Sequence, residues 1–188
     1  MTTFIRSARF THVVICLVLC WTSVQAADYP LTLTANAQVT KGSTTVTTTL
    51  TIRVERPMNG TYRTRVVDAL KFGGYPNFLK TLRPLPVIGT IELDGRKVEL
   101  RYAHEEPGDG GSRLVLAADT PMFFLGSQEK PRAGYELTLV ELTLDAKGSG
   151  KGVMTGAARV KPSPDGGIIV DDFAGTPVQL VVRAVSAK

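Results

Sequence analysis

Cysteine is scarce in this chain: Cys16 and Cys20 are the two in 188 residues, and Trp21 is the one tryptophan. All three fall in a leader that reads as a secretory signal peptide over residues 1–26. Arg6 and Arg9 form its positive start, Val13 to Cys20 its apolar core, and Val24-Gln25-Ala26 its small-residue cleavage pattern. The core is shorter than the roughly 20 residues a membrane-spanning helix needs. Leu19 is bulkier than the residue expected before a lipid-modified cysteine, which weighs against a lipoprotein reading of Cys20. The remainder, residues 27–188, has no cysteine and only one histidine, His104. That excludes disulfides and thiol catalysis there. It also leaves His104 as the only imidazole ligand for a transition metal, with no thiolate to join it. A disulfide-free exported chain suits a bacterial periplasm, so the expected location is periplasmic or secreted.

Charge of either sign is also in small excess. Without Arg6 and Arg9, 20 basic side chains face 17 acidic ones. A net charge of about +3 without an evident basic cluster argues against a nucleic-acid partner. Ten aromatics outside the leader are too few to build two interfacial girdles, so the chain is not expected to span a membrane as a barrel.

What is abundant is period-two patterning. Thr45 to Glu55 places Val46, Leu50, Ile52 and Val54 on one face and Thr45, Thr47, Thr49, Thr51 and Arg53 on the other. Leu31 to Ala35 alternates likewise, with Lys41-Gly42 as the turn between them. Thr90–Leu93 and Lys97–Tyr102 flank Asp94-Gly95, a strong hairpin signal. Further strands are expected at Arg113–Leu116, Tyr135–Leu144, Val153–Lys161, Ile168–Val170 and Val178–Val182. About nine strands predict a mainly β fold, an antiparallel β-barrel or β-sandwich, in a single domain over 27–188.

One segment breaks the pattern, a short helical insert near residues 61–83. Tyr62, Val66 and Leu70 recur every four residues, Asn59 or Thr61 can cap the start, and Gly73-Gly74 can end the first stretch. A further turn or two runs from Pro76 to Arg83.

The candidate chemistry is sparse. His104 and Glu106 would share a strand face, yet a metal site needs three or four donors. A Ser-His-Asp hydrolase would have to use His104 as base, and no Gly-x-Ser-x-Gly elbow is present. Gly148-Ser149-Gly150-Lys151-Gly152 lacks the Ser or Thr that a phosphate loop places after its lysine. No catalytic residue, metal site or cofactor is assigned. The constellation that stands out is apolar. Phe72, Tyr75, Phe78, Leu79 and Leu82 belong to the insert, and Phe123 and Phe124 lie in the unalternated run Met122–Leu125. An insert over one end of the sheet would leave an apolar cavity beneath it, with Lys71, Lys80 and Arg83 at the rim to meet an acidic headgroup.

The stretches Glu99–Ala103, Arg113–Pro121, Ala158–Lys161 and Ile169–Phe173 with Pro177–Leu180 resemble a set of uncharacterised exported bacterial proteins. The resemblance implies export and a β fold. It implies no activity. The expected function is therefore that of an exported, soluble, non-catalytic protein binding an apolar or amphipathic small molecule in the cell envelope. The alternative is a structural or interaction protein that docks on an envelope protein through a sheet edge or the Thr-rich face.

Overall fold

A computed structural model describes residues 29–108, 110–124, 132–165, 167–173 and 176–183. The expected signal peptide lies outside these residues, as do Leu125 and the loop residues Asp109 and Gly166. Nine strands and one helix follow in chain order. They are β1 (Leu31–Lys41), β2 (Thr44–Val54), α1 (Gly60–Leu82), β3 (Gly89–Leu93), β4 (Arg96–Gly108), β5 (Gly111–Ala118), β6 (Leu137–Asp145), β7 (Gly150–Pro162), β8 (Ile168–Asp172) and β9 (Val178–Arg183).

Every pairing is antiparallel, and strands from β1 to β7 pair with their sequence neighbours. Strand β7 then pairs with β9, and β9 returns to β1, which closes an eight-stranded barrel. Strand β8 lies outside that ring. Ala158 opposes Asp172 and Met154 opposes Val178, so β8 and β9 both pair with β7, one after the other along its length. Closure decides between the two expected architectures: the chain is a barrel.

The alternation read from β2 explains the barrel's interior. Leu50, Ile52 and Val54 point inward and are fully buried, joined by Ile91 and Leu93 of β3, Leu114 and Leu116 of β5, and Leu142 of β6. Ala35 and Ala37 of β1 face Leu50 and Leu180, so small side chains sit opposite large ones and the interior fills. Val46 departs from the expected pattern at 37% exposed, because it lies close to the β1–β2 turn, at the end of the ring. At the β3–β4 turn, Asp94 and Gly95 take φ of 54° and 71°, as a two-residue hairpin of this hand requires. Among the described residues the one fully buried polar side chain, Thr138, donates to Thr120 O at 2.8 Å.

Helix α1 is bent as its sequence implies. Asn59 caps it, its side-chain oxygen accepting from Thr61 N–H at 2.8 Å. Gly74 breaks the helical path with φ 65° and ψ −168°, a conformation essentially restricted to glycine, and Pro76 opens the second stretch. Val66 and Leu70 are buried, while Tyr62 is 37% exposed. Positions four apart drift by about 40° around a helix, so two such steps carry Tyr62 about 80° from Leu70, toward the edge of the buried stripe.

Candidate ligand-binding cleft

The helix lies against the outer wall of the barrel. In β6, Val140, Leu142 and Leu144 belong to the interior, whereas Leu137 and Leu139 face outward into a second apolar cluster with α1. That cluster contains Val66, Leu70, Tyr75, Phe78, Leu79 and Leu82 of α1, with Tyr102 of β4 and Ala158 and Val160 of β7. Strand β6 is therefore apolar on both faces for two separate reasons, the interior and the helix.

Where the helix stands off the wall, a cleft of about 630 Å³ remains. Its roof is Val66, Val67, Leu70 and Phe78. Its floor is the outer face of four strands: Tyr102, Val115, Ala117, Leu139, Val153 and Thr155. Ile168 and Val170 of β8 form an apolar lip, and Ile168 is 54% exposed.

The end nearest the β4–β5 and β6–β7 turns is polar. Arg113 donates from Nε to Glu141 Oε1 at 2.9 Å and from a guanidinium nitrogen to Glu106 Oε2 at 3.4 Å. The hydrogen bond to Glu141, which outweighs the opposing effect of burial, holds the Arg113 guanidinium protonated more firmly than usual. His104 Nε2 lies 3.0 Å from Glu106 Oε1, and the Arg63 guanidinium of α1 bonds the same ring. Nε2 can donate to Glu106 or accept from Arg63, never both, so the ring's tautomer selects its partner. His104 and Glu106 do share a face, as the strand pattern implies, but two guanidiniums border them and would repel a metal cation. Tyr102, on the floor, has its hydroxyl pushed up in pKa by burial, so it stays a neutral donor.

A latch ties the second half of α1 to the wall. The Tyr75 hydroxyl donates to Glu136 Oε2 at 2.7 Å and accepts from Glu136 N–H at 3.1 Å. Gly134 N–H donates to Glu136 Oε1 at 2.9 Å. Desolvation alone would raise the Glu136 pKa. The bonds from Gly134 N–H and the Tyr75 hydroxyl outweigh it and hold the carboxyl below its usual range. Burial first, then the bond to Glu136, pushes the Tyr75 hydroxyl well above the ordinary tyrosine value. The Arg159 guanidinium stacks over the Tyr75 ring, 5.8 Å from its centroid.

The residues singled out from sequence separate into three places. Phe78 roofs the cleft, and Tyr75, Leu79 and Leu82 pack beside it between helix and wall. Phe124 packs against the barrel interior with Phe123 half-buried next to it, and neither lines the cleft. Phe72 is 88% exposed and borders a concavity on the outer side of α1 with Lys80; Lys71 and Arg83 are exposed, and none of the four lines the cleft. The floor residues Val115, Ala117 and Val153 were not legible as a site. Their only signal is that outward positions of β5 and β7 are apolar where β2 carries threonines.

Comparison of the chain with protein families, with characterised proteins and with solved structures finds no match.

Proposed function

We propose that this chain is an exported, non-catalytic barrel protein that holds an apolar or amphipathic small molecule in the cleft between α1 and the barrel wall. The observation that carries the reading is the cleft's polarity: an apolar trough closed at one end by a bonded array of His104, Glu106, Arg113 and Glu141. Its volume lies within the roughly 300–1,000 Å³ common for small-molecule sites. A ligand with an acyl or ring body and a polar head would match both parts. The resemblance to exported bacterial proteins supports the location. The barrel's polarity supports a protein that does not span a membrane, since apolar side chains fill the interior and Thr45, Thr47, Thr49 and Arg53 face outward, the reverse of a transmembrane barrel. Among the described residues no helix is long and apolar enough to cross a membrane.

The test is titration with an environment-sensitive fluorescent fatty acid, comparing the native chain with Val115→Trp, which fills the floor. The expected result is at least about tenfold weaker binding, the cost of losing roughly two buried methylenes of contact, with an unchanged thermal midpoint. Equal affinity in both proteins would remove the cleft as the site.

A second reading has an observation of its own. Among the described residues β8 pairs with β7 alone, and Ile168, Ile169 and Val170 are all exposed, so a partner strand could add to this edge. An envelope protein would then be the binding partner. Crosslinks from residue 169 to a single protein, lost in Val170→Pro, would favour it.

A further inference from the structure

We propose that the solvent face of α1 is a docking surface for an anionic lipid membrane, with Phe72 entering the headgroup layer. The first observation is where the charge lies. Residues 56–86 hold six of the chain's 22 basic side chains and one of its 17 acidic ones, Asp68. That excess of five equals the formal net charge of the entire chain, so everything outside this segment sums to neutral. Counted over the whole sequence the charge looks diffuse. Placed on the fold, Arg65, Lys71 and Lys80 are exposed along α1, while Arg63 turns to His104 on the cleft side.

The second observation is that three of these cations are in no ion pair, whereas Arg63 bonds His104 and Arg56 bonds Val87 O. The ion pairs among the described residues engage Arg53, Arg101, His104, Arg113 and Lys161, and none involves Arg65, Lys71 or Lys80. The third is Phe72. At 88% exposed it is the most exposed large apolar side chain described, and it stands directly after Lys71. Arg65, Phe72 and Lys80 stand around one open concavity on the outer side of the bent helix, with Tyr62 and the segment's single acid, Asp68, beside them. An aromatic ring among unpaired cations is the signature of a helix that lies on an anionic bilayer, where the ring is wetted by headgroups and the cations meet phosphates. A nucleic-acid duplex would use the cations and leave Phe72 without a role. A protein partner would need acidic complementarity and a broader apolar patch than a single ring.

The surface does not depend on the cleft being occupied, and the test separates the two. The protein, purified from the cells that make it, is floated with vesicles of phosphatidylcholine alone or of phosphatidylcholine with phosphatidylglycerol. Binding is expected to the anionic vesicles, and to weaken as salt shortens the screening length from about 10 Å at 0.1 M to about 3 Å at 1 M. Each cation near such a surface is worth about a factor of five, so Lys71→Glu with Lys80→Glu should lower partitioning by at least about twentyfold. Phe72→Ala should lower it severalfold, leaving a salt-sensitive remainder. All three positions are exposed, so the thermal midpoint should stay put in both variants. Val115→Trp should bind vesicles as the native chain does, whatever it does to fatty-acid binding. Equal binding to both vesicle types would overturn the proposal, as would Phe72→Ala partitioning like the native protein. So would a face that retains duplex DNA or a protein but no anionic vesicle.

Discussion

Replacing Tyr75 by Phe removes one oxygen atom and two hydrogen bonds, and the structure sets the expected cost. One lost bond is to a carboxylate, worth about 1.5–3 kcal/mol, and the other is from a backbone N–H, worth about 1 kcal/mol. Glu136 keeps its bond from Gly134 N–H and is only partly buried, so water replaces part of what is lost. A net loss of about 2 kcal/mol follows, or roughly 4–8 °C in midpoint for a chain of this size. The pH dependence makes the argument specific. The Glu136 carboxyl is held below its usual range in the fold, partly by the Tyr75 hydroxyl. Its ionised form therefore adds stability above the ordinary glutamate value of about 4.3, and this is lost as pH falls through the lower folded value. Urea unfolding of both proteins should show the full gap at pH 7 and a narrower one at pH 3, because protonated Glu136 accepts a weaker bond. A gap below about 0.5 kcal/mol at pH 7 would mean the latch holds nothing. A gap that widens in acid would show that the charge-assisted bond has been assigned with the wrong sign.

Gly74→Ala should destabilise by about 1–3 kcal/mol, since φ 65° with ψ −168° is closed to a side chain; a melt equal to the native one would show that the two halves of α1 can straighten without cost. Phe78→Ala should cost about 3 kcal/mol, the low end for a buried phenylalanine, because its ring borders the open cleft as well as packed neighbours; a loss above about 5 kcal/mol would mark it as pure core.

Much of the fold was legible because barrels are built from local rules. Asp94-Gly95 announces its hairpin, Thr45 to Glu55 announces which face is wet, and Gly73-Gly74 with Pro76 announces the break in α1. What no local rule gives is the identity of the surface that α1 covers. Alternation in Tyr135 to Leu144 shows two apolar faces, yet whether the second meets a helix, a second sheet or a ligand depends on pairings between β4, β5, β6 and β7. The same holds for the insert. Phe72 and Phe78 look alike in sequence, six residues apart on one apolar-rich segment. The bend and the docking angle of the helix send Phe78 into the cleft and Phe72 into solvent. Charge was misleading for a related reason: the net value is small, but residues 56–86 hold an excess equal to all of it.

The seam between β1 and β9 has a kinetic consequence. The contacts from β1 to β7 join strands that follow one another, and β9 meets β7 with only β8 between them, so each can zip up as soon as its two arms exist. The seam instead joins Thr34 to Arg183, and it cannot form until nearly the whole chain has been delivered. Until then the meander is an open curl whose first strand carries a bare backbone edge beside Leu33 and Ala35. Such an edge is a template for any other extended chain nearby. The last strand to arrive is thus the one that retires the risk, and the time between the first strand and the last is the interval in which this protein most needs a chaperone.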